Sequence, residues 1–212
     1  MRSRQIRLGL VALLGMFLAA VVAAGCGGGD EDSETAAIET DGAFLVEMVT
    51  HHEAAIEMAT LAQERGEHTE IRDLADAIVD SQGEEIEQMQ QIHARLFEGT
   101  FDEADHGTLG LADHETGMEG DATQLEDANP FDRAFIDSMI PHHQGAILMA
   151  RKVLESGSDP EAATLANDII EAQSREIEEM NSWREEWYGE PSPAGGVPAE
   201  DDEPGSHEEM GH

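Results

Sequence analysis

Cysteine occurs once in this sequence, tyrosine once and tryptophan twice, and lysine and arginine together supply only 11 of its 212 residues. A single cysteine excludes an intramolecular disulfide framework and any cysteine-based zinc ribbon. With aromatics at 4 %, a core has to be assembled from Ala, Leu, Ile and Met, the material of helix bundles. Against the 11 bases stand 47 acids, a formal net charge of −36. Such a surface repels phosphate instead of releasing its counterions, which excludes nucleic acid as a partner. What the chain does have is histidine and methionine, ten of each.

The N-terminus reads as a targeting segment. Arg2, Arg4 and Arg7 precede an apolar run from Leu8 to Ala24, too short and too glycine-interrupted for a stable span and suited to a signal peptide. The run ends at Val22-Ala23-Ala24-Gly25-Cys26. This resembles a bacterial lipoprotein signal, with Ala23 where leucine is usual, and implies lipidation of Cys26 as the mature N-terminus. An uncleaved anchor or an ordinary secretory peptide is the alternative. The resemblance places the protein outside the cytoplasm, anchored to the bacterial cell membrane. Cleavage after Gly25 removes three arginines and no acid, leaving 8 basic against 47 acidic side chains, a net −39. Residues 26–40 then read as a flexible acidic tether.

One duplication organises the rest. Phe44-Leu45-Val46-Glu47-Met48-Val49-Thr50-His51-His52 is matched by Phe135-Ile136-Asp137-Ser138-Met139-Ile140-Pro141-His142-His143, and Gln82, Glu85, Ile86 and Met89 by Gln173, Glu176, Ile177 and Met180. Every match has the same offset, 91 residues, so a whole supersecondary unit is repeated. Each unit reads as a helical hairpin, and no stretch alternates like a strand. Asp41 is expected to cap a first helix ended by Gly66, and Thr69 a second ended at Gly99. Asn129-Pro130 opens the third, Gly157 closes it, Asp159-Pro160 opens the fourth, and Gly189 stops it. The expectation is an all-α four-helix bundle over 41–189: hairpin 41–99, linker 100–128, hairpin 129–189. A disordered acidic His/Met tail follows over 190–212.

At 100° per residue, Phe44, Leu45, Met48, Val49, Ala55, Ile56 and Ala59 share one face. His52 falls near its middle and His51 toward its edge, two turns from Met58, while Glu53 and Glu57 point to solvent. The third helix repeats this with His143 beside Met139 and His142 near Met149. Gln82 interrupts the apolar stripe of the second helix, and Gln173 that of the fourth. Counted from the hairpin turns, both glutamines fall level with the histidines. An up-down-up-down order would run the first and third helices parallel.

Imidazoles, amides and thioethers in an apolar core must bond to one another, to water or to metal. Imidazole suits zinc, copper, iron and nickel, and thioether sulfur selects Cu(I). The candidate metal ligands are therefore His142, His143, Met139, Met149, His51, His52, Met48, Met58, Gln82 and Gln173. The alternatives are methionine as core filler and histidines bonded to Gln82 and Gln173 only to order the core. His106, His114 and Met118 in the linker, and His207, Met210 and His212 in the tail, specify no defined site.

The string Met139-Ile140-Pro141-His142-His143-Gln144-Gly145-Ala146-Ile147 with Met149-Ala150, followed by Gln173 to Met180, resembles the bacterial domain of unknown function numbered 305. The resemblance covers most of residues 41–189. It implies a ferritin-like bundle, exported, often found with copper-handling proteins, some members binding copper through His and Met. His142, His143, Met139 and Met149 match the motif directly. The first copy departs from it at Thr50, Glu53 and Ala54, so its histidine pair is expected to matter less. Pro141 removes one backbone hydrogen bond and is expected to kink its helix, with Gly145 leaving room for close helix approach.

These readings converge on a membrane-tethered metal-binding protein, with copper as cargo for storage, buffering or delivery, and no enzymatic activity. A di-iron enzyme would need Glu-x-x-His on two helices, and the one instance, Glu103 to His106, lies in the linker. A structural or partner-binding bundle is the remaining alternative, and association with a second copy of the chain stays open.

Overall fold

The computed structural model describes residues 30–99, 101, 106–118 and 122–199. The signal segment and Cys26, and with them the lipidation reading, lie outside the described residues, as do His207, Met210 and His212. Six helices follow in order: α1 Asp30–Arg65, α2 Thr69–Leu96, α3 Asp113–Thr116, α4 Ala122–Leu125, α5 Phe131–Ser156 and α6 Pro160–Tyr188. Among the described residues there is no strand, and no helix is long and apolar enough to cross a membrane.

The second hairpin has the expected ends. Asp159 caps α6 by accepting from the backbone N–H of Glu161 and Ala162, with Pro160 at the first helical position, and Gly189 takes φ 89° after the last turn. The first hairpin differs. α1 begins at Asp30, eleven residues before Asp41, so residues 30–40 of the expected tether are helical. Nothing in Asp30–Thr40 breaks a helix, and acids in a first turn favour the positive end of its dipole. Nor does Thr69 cap α2: His68 holds that position without a side-chain cap bond, and α2 ends at Leu96 rather than at Gly99.

Asp41 has a different task, and it reveals the topology. Its Oδ2 accepts from the backbone N–H of Ser158 and Asp159, each at 2.9 Å, and from the Ser158 hydroxyl at 3.0 Å. Asp132, its counterpart 91 residues on, accepts from the backbone N–H of Glu67 and His68, each at 2.8 Å. Glu67 and His68 are in turn the counterparts of Ser158 and Asp159. Each hairpin's carboxylate thus holds the other hairpin's turn. That reciprocity is the mark of a pseudo-two-fold axis relating the two copies.

The axis makes α1 and α5 antiparallel, which corrects the expected parallel run. Two apolar clusters show the same thing. One contains Met58, Ile71, Phe135, Met139, Ile177 and Met180, the other Met48, Met89, Met149 and Ile169. Each long helix passes from one cluster to the other through one polar step: His51-His52, Gln82, His142-His143 or Gln173. α1 and α6 run one way, α2 and α5 the other. The segment between α2 and α5 must therefore travel back along the bundle, as the single long connection of a crossover bundle does. It is pinned along the way: the backbone N–H of Leu109 donates to Glu47, and the Arg65 guanidinium donates to the carbonyls of Leu125, Glu126 and Ala128.

The tail is also partly tied down. Gln144 donates to the carbonyls of Ala194 and Gly196, Asn181 to that of Gly195, and Arg151 to those of Pro198 and Ala199. Residues 190–199 are therefore laid against α5 and α6, where a disordered tail was expected.

Candidate metal centre

The polar step lies midway along the bundle. His51, His52, His142 and His143 are at most 2 % exposed, Gln82 and Gln173 3 %. His51 and His142 are symmetry mates, and their ring centroids approach to 3.8 Å. His52 lies 6.3 Å from His51, and His143 lies 6.5 Å from His142. The glutamines sit at the expected level, each between the two apolar clusters along its own helix.

Hydrogen bonding departs from the expectation of histidine–glutamine pairs. His52 Nε2 lies 2.7 Å from a carboxylate oxygen of Glu85, and His143 Nε2 lies 2.6 Å from one of Glu176. Both glutamates were missed as site residues because a charged side chain on an amphipathic helix reads as solvent-facing. The signal was present: each recurs at the 91-residue offset, three residues after its glutamine. His51 Nε2 lies 2.9 Å from the carbonyl oxygen of Thr116. A carbonyl only accepts, so Nε2 of His51 carries the hydrogen and Nδ1 the lone pair. Facing a carboxylate, Nε2 of His52 and of His143 carries a hydrogen as well, the arrangement of carboxylates behind metal-bound imidazoles.

The inward atoms have nothing to bond. Nine buried side-chain nitrogen and oxygen atoms of the described residues lack a hydrogen-bond partner, and eight lie in this layer. They are Nδ1 of His51, His52 and His143, both ring nitrogens of His142, Oε1 of Gln82, and both amide atoms of Gln173. An unsatisfied buried group costs about 1–3 kcal/mol, so a concentration of them marks a place for a ligand. Burial, then the neighbouring His52, pushes His51 down to about 3; burial and the nearby His51 hold His142 well below its ordinary value. Both rings are neutral at pH 7 and keep their lone pairs.

Met48, Met58, Met139 and Met149 are at most 1 % exposed. Met58 and Met139 lie in the cluster on one side of the polar layer, Met48 and Met149 in the cluster on the other. Among the described residues no three His, Cys, Asp or Glu side chains are already gathered around one point. A bound ion would have to draw the rings inward, and His142, with neither nitrogen engaged, is the ring with no bond to break.

The motif around His142 has a purpose the sequence did not reveal. A Cβ on Gly145 would stand 1.9 Å from the carbonyl oxygen of Thr116, and one on Gly117 2.1 Å from that of Pro141. Gly145 thus makes room for the end of the short helix α3 in the connection rather than for another long helix, and α5 continues as helix through Pro141. Beside this contact a cleft of about 240 Å3 reaches His51 between Glu47, Thr50, Met118 and Met149.

The site and fold define a duplicated helical bundle with a buried histidine–glutamine layer at its pseudo-two-fold axis. The chain belongs to the family described as "Domain of unknown function (DUF305)", which matches residues 41–184 and again 132–212. It is similar to CopM, whose structure is known in a Cu(II)-bound form (35 % identity, 70 % of this chain, 98 % of that chain, TM-score 0.60) and a Cu(I)-bound form (36 %, the same shares and score). A DUF305 fragment from Deinococcus radiodurans matches at 27 % identity over 69 % of this chain and 96 % of its own, TM-score 0.56. An uncharacterized protein of Acanthamoeba polyphaga mimivirus is 45 % identical over 51 residues, 24 % of this chain. The chain spans 34 % of the length of that curated relative.

Proposed function

We propose that this is a copper-binding protein, not an enzyme, that holds its cargo in the histidine layer for storage, buffering or delivery. The supporting observation is the eight unpartnered polar atoms there, set between two pairs of methionines. His51, His52, His142 and His143 would supply imidazole nitrogens, with Glu85, Glu176 and Thr116 holding the rings. Met48, Met58, Met139 and Met149 would supply the soft sulfur that favours Cu(I) over zinc. Similarity to a protein crystallised with Cu(I), Cu(II) and silver supports the same reading. The signal segment ending in Cys26 supports export and a lipid anchor, with the −39 envelope gathering cations near the membrane surface.

An anaerobic thermal melt with and without Cu(I) tests the proposal. An ion bound only by the native state raises Tm, and replacing both His142 and His143 by Ala should abolish the rise. A wild-type melt that copper does not move overturns it.

A further inference from the structure

A second group of histidines lies away from the central layer. His93 projects from the buried face of α2, eleven residues beyond Gln82, or about 16 Å along the helix at 1.5 Å per residue. It is 1 % exposed. Facing it is the half-buried His106 of the crossover connection, with the two Nε2 atoms 2.8 Å apart. The ring centroids are 5.0 Å apart, nearly the greatest separation this nitrogen spacing allows. The two imidazoles therefore point at each other head-on.

We propose that His93 and His106 form a second cation site, two-coordinate and selective for a soft monovalent ion such as Cu(I) or Ag(I). Between two neutral imidazoles aligned this way lies one hydrogen, donated by one ring to the lone pair of the other. A monovalent ion of d10 configuration, which accepts two nitrogens in line, takes the place of that hydrogen on the same axis, and the ring that donated it carries its proton on Nδ1 instead, as the other neutral tautomer. Metal–nitrogen bonds of about 2 Å require the rings to part by about 1 Å, and His106 stands on a connection rather than a helix. Two nitrogens in line suit such an ion, whereas zinc takes four ligands in a tetrahedron.

The surroundings suit a weakly hydrated ion. Phe97 lies 4.0 Å from the His106 ring and 5.0 Å from His93, and Phe101 lies 4.9 Å from His93. Burial, and then His106, lowers the pKa of His93, which keeps the pair from becoming doubly protonated. Below the His106 ring is Gly42, where a Cβ would fall 2.4 Å from Cγ. Bundle packing alone does not demand a histidine at this position: its counterpart in the second hairpin is Arg184, ion-paired with Asp137.

The test is an anaerobic titration of the full chain with Cu(I) against a chromophoric chelator, reading equivalents bound. His106→Ala should bind one equivalent fewer than wild type. Gly42→Ala should lose the same equivalent while retaining both histidines, and its higher helix propensity separates that loss from a failure to fold. The His142→Ala, His143→Ala double variant should keep it, so this site and the central one fail independently. In 15N spectra, Ag(I) should move the Nε2 resonances of His93 and His106, and equimolar Zn(II) should not. Unchanged stoichiometry in both His106→Ala and Gly42→Ala, or Nε2 resonances that Ag(I) leaves in place, would reduce the pair to a hydrogen bond that pins the connection.

Discussion

The two hairpins agree at their centres and differ at their edges. His51, His52, Gln82 and Glu85 have counterparts in His142, His143, Gln173 and Glu176, and both glutamates hold their histidines at nearly the same distance, 2.7 and 2.6 Å. The residues that distinguish the second copy serve other contacts. Gly145, where the first copy has Ala54, receives Thr116; Gln144, where the first copy has Glu53, binds the tail carbonyls. Divergence has followed what each copy touches, while the residues near the symmetry axis stayed alike. Two of the three departures of the first copy thus answer to contacts outside the histidine layer, and whether its pair matters less is a question for binding.

The largest expected effect tests that symmetry. Replacing His51 and His52 together by Ala should weaken Cu(I) binding by more than about a hundredfold, beyond the 10–100-fold typical of residues supporting a ligand. His142 and His143 should give a comparable loss in the same chelator competition. A loss confined to one pair would break the comparison.

The reciprocal carboxylates sharpen it. Asp132 uses both oxygens and also lies 2.6 Å from Nδ1 of His68, whereas Asp41 Oδ1 is buried without a partner. Asp132→Ala should therefore cost more stability than Asp41→Ala. About 3 kcal/mol against about 2 kcal/mol is expected by denaturant unfolding: each change strands two backbone N–H groups, but Asp41→Ala also removes a buried oxygen that had no partner. Equal costs would mean that the unpartnered Oδ1 of Asp41 carries no penalty.

Gly145→Ala should destabilise by about 1–3 kcal/mol, because the new methyl meets backbone. In the first copy the reverse change, Ala54→Gly, should cost only the helix propensity of about 1 kcal/mol. Gly145→Ala should also raise proteolytic cleavage near Thr116, and a linker left undisturbed would contradict the packing argument.

Acid acts on the histidine layer of both copies at once. Unfolded His51 and His142 take up protons near pH 6.5, and the folded forms resist, His51 down to about 3. Folded pKa values below the unfolded ones mean stability that is complete above pH 6.5 and lost as pH falls toward 3. The slope is at most about 1.4 kcal/mol per pH unit for each histidine. Denaturant midpoints from pH 7 to 4.5 should fall less steeply for His51→Gln with His142→Gln, and an unchanged slope would assign the acid sensitivity elsewhere.

Much was legible in one dimension. The constant offset of 91 residues showed two hairpins, and the 3.6-residue period turned both histidine pairs and both glutamines inward. Gly157, Asp159-Pro160 and Gly189 marked their helix ends because caps depend on local backbone geometry. Composition and periodicity thus determined an all-helical duplicated bundle with imidazoles, amides and thioethers in its core. The direction in which one hairpin packs on the other is a long-range choice that no local period records. Only the tertiary structure made α1 and α5 antiparallel, moved Asp41 from its own helix to the opposite turn, and brought His51 against His142. It also set Glu85 and Glu176 behind His52 and His143, and folded the connection back so that His106 met His93. A side chain's partner on another element is decided where packing closes, and there the apolar face a residue borders matters less than what stands across from it.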